Sequence, residues 1–85
     1  MDVAAFRARA KLTQAELAQL IGLHPLTISK IERGVSEPQP FQRALLRSFQ
    51  KQRSSKLWRD VRFALTERGT AAALALALHH EWTDP

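Results

Sequence analysis

The sequence predicts an all-α fold of short helices in one domain of 85 residues. Apolar residues recur every three or four positions along most of the chain, which is the spacing of one buried helix face. Helix-ending glycines stand at Gly22, Gly34 and Gly69, between segments that open with a capping residue or a proline. These two patterns define about six helical segments.

The first two helices have clear N-terminal signals. A helix is expected over Asp2–Ala10, because Asp2 can cap it. A second helix starts at Thr13, because residues 13–16 have the S/T-x-x-E pattern of a capping box. Gly22 is expected to end it by taking a positive φ. The residues predicted to face the core are Val3, Phe6, Ala10, Ala15, Leu17, Ala18 and Ile21.

The third and fourth helices open with prolines. Pro25 suits a first helical position, where the backbone amide has no helical acceptor, and Gly34 ends that helix. Pro40 opens the next. The predicted inward residues are Leu23, Ile28 and Ile31 in the third helix and Phe41, Leu45 and Phe49 in the fourth, which leaves Leu26, Thr27, Ser29, Lys30 and Arg33 facing outward.

Two more helices are expected after Ser54-Ser55. One spans about residues 56–68, and the other begins with Thr70 as its cap and continues to Trp82. Alanine and leucine alternate at 74–78 as in a strand, but both favour helices and no β-branched residue interrupts the run. The predicted inward residues of the first are Leu57, Trp58, Val61, Ala64 and Leu65.

Positive charge is concentrated in the first part of the chain. Residues 1–53 hold nine Lys/Arg and four Asp/Glu, whereas residues 54–85 hold four of each. A polyanionic partner would explain this asymmetry, and an ordinary solvated basic face is the alternative.

The segment from Leu12 to Gly34 has the layout of two short helices joined by a tight turn, as in units that place the second helix in the DNA major groove. Leu12–Pro38 resembles the helix-turn-helix of the Cro and cI repressor class, the XRE family. The matching pieces are LTQAELA, Ile21-Gly22-Leu23, TISKIERG and the proline after them. The resemblance implies a lambda-repressor-like bundle of about four helices, with one or two extra C-terminal helices, in a DNA-binding transcriptional regulator.

The resemblance also implies roles for single residues. Gln14 would hold a DNA phosphate, and Arg7 and Glu32 would pair to join the first helix to the third, with Arg7 turned toward a phosphate or serving structure alone. Lys30 and Arg33 could instead be solvated charges, and His24 could be only a cap. The implied base readers are Pro25, Leu26, Ser29 and Lys30, and the implied backbone contacts are Thr27, Arg33, Arg7 and His24.

The residues expected to contact bases have few polar groups. Lys30 can donate to guanine, Ser29 discriminates poorly between bases, and Leu26 offers apolar contact only. His24 stands where relatives often have Ser or Thr as the cap. We therefore expect modest direct readout, with much of the affinity from phosphates.

We expect residues 1–53 to form the DNA-binding core and residues 54–85 a helical extension within the same compact domain. One helix-turn-helix contacts too few base pairs for useful specificity, so a symmetric homodimer is predicted. The alternative is that the last helix only closes the core of the monomer. The predicted interface residues are Trp58, Val61, Leu65, Leu74, Leu76 and Leu78.

The leading functional prediction is a small dimeric repressor that acts at a palindromic operator. The alternatives are an antitoxin, or an autoregulator of a phage or mobile-element operon, that binds a protein partner through residues 54–85, and an adaptor that no longer binds DNA. No enzyme, cofactor or metal site is expected, because no nucleophile–base arrangement is found and the chain has no cysteine. Charged residues interrupt the N-terminal apolar residues, so a cytoplasmic protein without a signal peptide is expected.

Overall fold

A computed structural model describes residues 2–79. Residues 80–85, which include the predicted helix end at Trp82, lie outside the described residues. The described chain is all-helical, and none of its helices is long and apolar enough to cross a bilayer. The helices are α1 (Val3–Ala10), α2 (Gln14–Ile21), α3 (Pro25–Glu32), α4 (Pro40–Lys51), α5 (Ser55–Glu67) and α6 (Thr70–Ala77).

Three aromatic rings form the centre of the core and join α1, α4 and α5. The ring centroids of Phe6 and Trp58 are 5.2 Å apart, and those of Phe49 and Trp58 are 5.9 Å apart, both edge to face. Phe6 and Phe49 stack with their centroids 6.4 Å apart. Such pairs contribute about 0.5–1.5 kcal/mol each beyond their buried area. The aromatic cluster therefore holds α5 as part of the same core as the N-terminal helices.

The α2–α3 unit follows its local sequence signals. Thr13 Oγ1 accepts from the Glu16 amide at 3.0 Å, and Glu16 Oε1 accepts from the Thr13 amide at 2.8 Å, completing the capping box. Gly22 ends α2 with φ of 74°. Leu17 and Ile28 are fully buried between the two helices and the core. This packing fixes how α3 is presented.

Two arginines tie helix ends together across the sequence. Arg9 on α1 donates to the carbonyls of Gln50 and Gln52 at the end of α4, and its guanidinium lies 5.4 Å from the Phe6 ring centroid. Arg62 on α5 donates to the carbonyl of Ala10 at the end of α1. Cationic side chains suit these positions, because the last carbonyls of a helix lack intrahelical donors.

The last helix buries its alanines, and its cap differs from the sequence-based expectation. Ala73 and Ala77, not the leucines, are fully buried in α6, because a small side chain at every fourth position lets α6 approach the core closely. The sequence predicts Thr70 as the cap of α6, but Gly69 occupies the cap, and the Thr70 hydroxyl accepts from Gln19 Nε2 on α2 at 3.0 Å. The Thr70 side chain therefore joins α6 to α2.

Two residues expected in the core lie on the surface. Ala15 is exposed because it faces away from the bundle in the first turn of α2. Phe41, in the first turn of α4, is 73% exposed, whereas Leu45 is half-buried and Phe49 fully buried on the same stripe. The apolar stripe of α4 therefore enters the core only toward its C-terminal end.

Candidate nucleic-acid interface

The outward side of α3 is a narrow exposed strip. Leu26 is 66% exposed, and Lys30 and Arg33 are exposed as well, whereas Ile28 between them is fully buried. The three exposed residues follow at intervals of four and three, so they lie along one side of the helix. Pro25, Thr27 and Ser29 are half-buried beside this strip. An α-helix with its side chains is about 10–12 Å in diameter, which fits the width of a major groove.

His24 caps the N-terminus of α3. Its Nδ1 accepts from the Leu26 amide at 3.1 Å, and its side chain is exposed. This bond requires the neutral tautomer that carries its proton on Nε2. Nε2–H remains available as a donor at the edge of the helix. His24 therefore has the geometry of a cap and keeps one group that can contact a phosphate.

One carboxylate joins the first three helices. Glu32 on α3 accepts from Arg7 Nε at 2.7 Å and Arg7 Nη2 at 3.2 Å, and from Gln14 Nε2 at 3.0 Å. Arg7 Nη1 also donates to the Leu12 carbonyl at 3.1 Å. The Glu32 side chain is 9% exposed and that of Arg7 is 25% exposed. The anticipated pair thus sits in a larger cluster, here called the Glu32 cluster.

The Glu32 cluster shifts the ionisation of both charged members. The hydrogen bond from Arg7 lowers the pKa of Glu32, assisted by Gln14 and by the Arg7 charge, while partial burial opposes the shift. The hydrogen bond to Glu32 raises the pKa of Arg7 against the effect of burial. Both residues are therefore held in their charged forms.

The N-terminus of α2 remains open to an anion. The first intrahelical amide bond of α2 is made by Leu17, and the Thr13 side chain takes the Glu16 amide. Within the described chain, the amides of Gln14 and Ala15 have no acceptor. Unpaired amides at a helix N-terminus favour phosphate and carboxylate groups. Gln14 stands at this end with one of its two side-chain N–H groups committed to Glu32.

A comparison with protein families identifies the unit formed by α1, α2 and α3. A family model described as Helix-turn-helix matches residues 3–41, which cover α1, α2, α3 and the first residues of α4. Residues 3–41 form a Cro/cI-type helix-turn-helix of the XRE family. The fold is lambda-repressor-like, and members of this family are DNA-binding regulators. Comparisons with curated proteins and with solved structures gave no match.

Two further cations, absent from the residues predicted from sequence, flank the helix-turn-helix. Arg43 and Arg47 on α4 line an open cavity of about 570 Å³ together with Ile31 and Gly34 at the end of α3. Arg43 makes only a loose ion pair with Glu37, at 3.8 Å. The sequence signal for this pair is that Arg43 and Arg47 are four residues apart, which places both on the polar side of α4. They extend the positive surface from α3 across the following loop.

The predicted dimer residues divide into two groups. Trp58, Val61 and Leu65 are 1%, 0% and 7% exposed inside the core of a single chain. The structure corrects the prediction for these three, because they offer a partner no surface. The other three predicted interface residues are half-buried, in α6 or at its C-cap: Leu74, Leu76 and Leu78.

The α6 leucines lie beside exposed aromatic residues on two sides of the molecule. Leu74 and Leu78 line an almost wholly apolar cavity of about 370 Å³ with Phe41, which is 73% exposed. Leu76 lies at another cavity with Phe63, which is 59% exposed. The described chain therefore carries exposed apolar surface at residues outside the exposed strip of α3.

Proposed function

We propose that this protein is a sequence-specific regulator that binds double-stranded DNA with α3 in the major groove. The observation that carries the proposal is the exposed strip of Leu26, Lys30 and Arg33 on a helix whose opposite side is fixed in the core by Ile28. A rigidly held helix can place side chains against base edges with little loss of conformational entropy on binding. A cytoplasmic location is consistent with a DNA partner.

Base reading is assigned to the middle of α3. Lys30 can donate to guanine O6 or N7, which is among the commonest specific contacts. Leu26 suits a thymine methyl group, and Ser29 can contact most bases. Pro25 contributes contact area without a donor of its own. This set gives specificity chiefly at the base pair that Lys30 faces.

Phosphate contacts are assigned to the ends of the two helices. The unpaired amides at the start of α2 and the remaining N–H of Gln14 form one phosphate site, and Arg7 has guanidinium N–H groups beyond those bound to Glu32 and Leu12. At α3, His24 Nε2–H, the Thr27 hydroxyl and Arg33 contact the backbone. Such contacts position the protein without reading sequence.

Selection of bound duplexes from a random pool tests the reading assignment. Lys30→Ala is expected to relax one position of the selected site and to weaken binding by about 1–3 kcal/mol. Lys51→Ala is the matched control, because Lys51 is also an exposed lysine but lies at the end of α4. Gln14→Ala should weaken all sequences about equally. Equal site preferences for Lys30→Ala and Lys51→Ala would refute the role of α3.

The protein acts as a symmetric homodimer on a palindromic operator. One α3 reads only four or five base pairs, and two related copies double the site. The described chain measures 34 × 29 × 20 Å, so two copies side by side can place their α3 helices about 34 Å apart, one turn of B-DNA. Half-buried Leu76 and the exposed Phe63 beside it supply an apolar interface on one face of the chain, as a two-fold dimer requires.

Sedimentation equilibrium tests the dimer. Phe63→Glu places a charge on exposed apolar surface beside Leu76 and is expected to shift the protein toward monomer. Thr66→Glu is the control, since it adds the same charge at another exposed α5 position. A wild-type chain that stays monomeric, free and on DNA, would refute the dimer, and equal association of both variants would exclude Phe63 from the interface.

We expect repression, because a dimer bound across a promoter blocks access to that promoter. A reporter gene with the selected site inside its promoter should lose expression when this protein is produced. The Lys30→Ala protein should restore it. Increased expression with the wild-type protein would identify an activator instead. Capture of a second protein through residues 54–85 would favour the autoregulator if the reporter is still repressed, and the adaptor if the protein binds no DNA.

A further inference from the structure

The fold brings together a second group of cations that the sequence divides between both halves of the chain. A cavity of about 270 Å³ lies between the C-terminal end of α1 and the first two turns of α5. Five of its six lining residues are basic. The residues that line it are Arg9, Lys11, Ser55, Lys56, Arg59 and Arg62, here called the basic cavity.

The basic cavity has no acidic partner among the described residues. Arg9 and Arg62 donate to backbone carbonyls, and the side chains of Lys11, Lys56 and Arg59 make no hydrogen bond or ion pair within that part of the chain. Five like charges around one cavity repel each other, and this repulsion opposes folding. A bound anion would remove it.

The nearby acids face elsewhere. Asp60 follows Arg59 in sequence but lines the cavity of Phe63 and Arg68. Asp2 accepts from the Ala5 amide as the cap of α1 and lines a shallow cavity at that end. Neither residue lines the basic cavity, so its positive charge is not neutralised locally.

Backbone donors add to the positive charge at the same place. Ser54 Oγ accepts from the Leu57 amide, and the first intrahelical amide bond of α5 is that of Trp58. The amides of Ser55 and Lys56 have no acceptor in residues 2–79. Amides at the N-terminus of a 13-residue helix favour anions, and here they stand beside the five cations.

We infer that the basic cavity binds phosphates of the DNA backbone outside the segment that α3 reads. This inference rests on the proposed DNA binding. Lys11 belongs to the cavity and precedes Gln14 by three residues, so the cavity adjoins the phosphate site at the start of α2. Five cations around one cavity suit the DNA backbone, in which each strand carries one phosphate charge per about 3.4 Å of helix axis.

The salt dependence of DNA affinity tests the inference. The probe is a duplex of about three helical turns, roughly 30 base pairs, with affinity measured by fluorescence anisotropy between low and moderate salt. Removal of one phosphate contact should flatten the slope of log affinity against log salt concentration by about 0.9. Arg59→Ala should show this change, and the Lys56→Ala/Arg59→Ala variant about twice as much. Lys51→Ala removes the same charge at an exposed position that lines neither the basic cavity nor the cavity of Phe63, and should keep the wild-type slope.

The outcomes for the basic cavity and for the proposed function are distinguishable. Wild-type protein that does not bind duplex DNA even at low salt refutes the proposed function. Binding with equal slopes for Arg59→Ala and Lys51→Ala refutes the basic cavity alone. Saturable amide shifts at Ser55 and Lys56 with pyrophosphate, together with an unchanged DNA slope for Arg59→Ala, would assign the cavity to a small phosphorylated ligand and overturn its assignment to DNA. Thermal melts of each variant check that the fold is intact.

Discussion

Replacing Glu32 by Gln tests whether one carboxylate holds the helix-turn-helix together. In the Glu32 cluster the two carboxylate oxygens accept three hydrogen bonds, two from Arg7 and one from Gln14. Glutamine has nearly the same shape but only one acceptor oxygen, and its NH₂ group would face another donor. The substitution therefore removes a charge and at least one hydrogen bond without creating a cavity.

The expected loss lies between the values for surface and buried ion pairs. Exposed pairs contribute about 0–1 kcal/mol, and loss of one partner from a buried pair costs about 3–5 kcal/mol. With Glu32 9% and Arg7 25% exposed, the free energy of unfolding should fall by about 2 kcal/mol. For a chain of 85 residues this lowers Tm by roughly 8–16 °C.

Urea unfolding at pH 7 is the assay, and Glu37→Gln is the matched control. The Glu37–Arg43 pair spans 3.8 Å and Glu37 is 89% exposed, so its loss should change stability by less than about 0.5 kcal/mol. Equal stability of the two variants would show that the Glu32 cluster contributes no more than a surface pair.

The same substitution has a pH signature. Because the pKa of Glu32 is lowered in the folded protein, its stabilisation is fully present above the ordinary value of 4.5. It disappears as the pH falls through the lower pKa of the folded state. The stability difference between wild type and Glu32→Gln should therefore shrink below pH 4.5. A difference that stays constant into acid would contradict the assigned ionisation.

Three other substitutions probe local features of the fold. Lys11 has φ of 56°, so Lys11→Gly should raise stability by about 1 kcal/mol, measured by thermal melting monitored by circular dichroism. Trp58→Phe removes the 2.7 Å hydrogen bond from Nε1 to the Gln52 carbonyl and leaves a gap in the core, so unfolding free energy in urea should fall by about 2–3 kcal/mol. Ser54→Ala removes the cap bond to the Leu57 amide and should cost about 1 kcal/mol in the same urea assay, whereas Ser54→Asp should retain the stability.

The sequence predicted those parts of the fold that depend on neighbouring residues. A capping box needs a hydroxyl and a carboxylate three residues apart, and both bonds are present at Thr13 and Glu16. Gly22 ends α2 at positive φ for the same local reason. The starts of α3 and α4 at prolines are likewise local, because the missing amide is tolerated at a first helical position.

Sequence-based prediction of burial failed where burial depends on how helices distant in sequence pack together. Periodicity placed Phe41 in the core because it shares a stripe with Phe49, yet the bundle covers only the second half of that stripe. For α6 the sequence predicted no inward residues, and the closeness of α6 to its neighbours buries Ala73 and Ala77 rather than the larger leucines. Periodicity identifies a helix face but does not show how near the adjacent helix lies.

The net charge of each segment likewise did not predict the basic cavity. Residues 54–85 have no net charge, yet the first turns of α5 hold Lys56, Arg59 and Arg62 close together. The fold places these three beside Arg9 and Lys11 from the other half. A net charge averaged over a long segment conceals such a cluster, and a sequence without coordinates cannot reveal that residues about 50 positions apart line one cavity.

The Glu32 cluster also links the two parts of the proposed DNA surface. Glu32 is the last residue of α3, and Gln14 is the first residue of α2, so one carboxylate fixes the phosphate site relative to the reading helix. Arg7 adds α1, whose C-terminal end leads directly to Lys11 and the basic cavity. In the proposed complex, the spacing between base contacts and phosphate contacts is therefore set by a short, partly buried set of hydrogen bonds rather than by flexible surface side chains. The proposed set of base contacts has few polar groups and requires such fixed spacing, because correct register on the backbone must then supplement the limited information from Lys30.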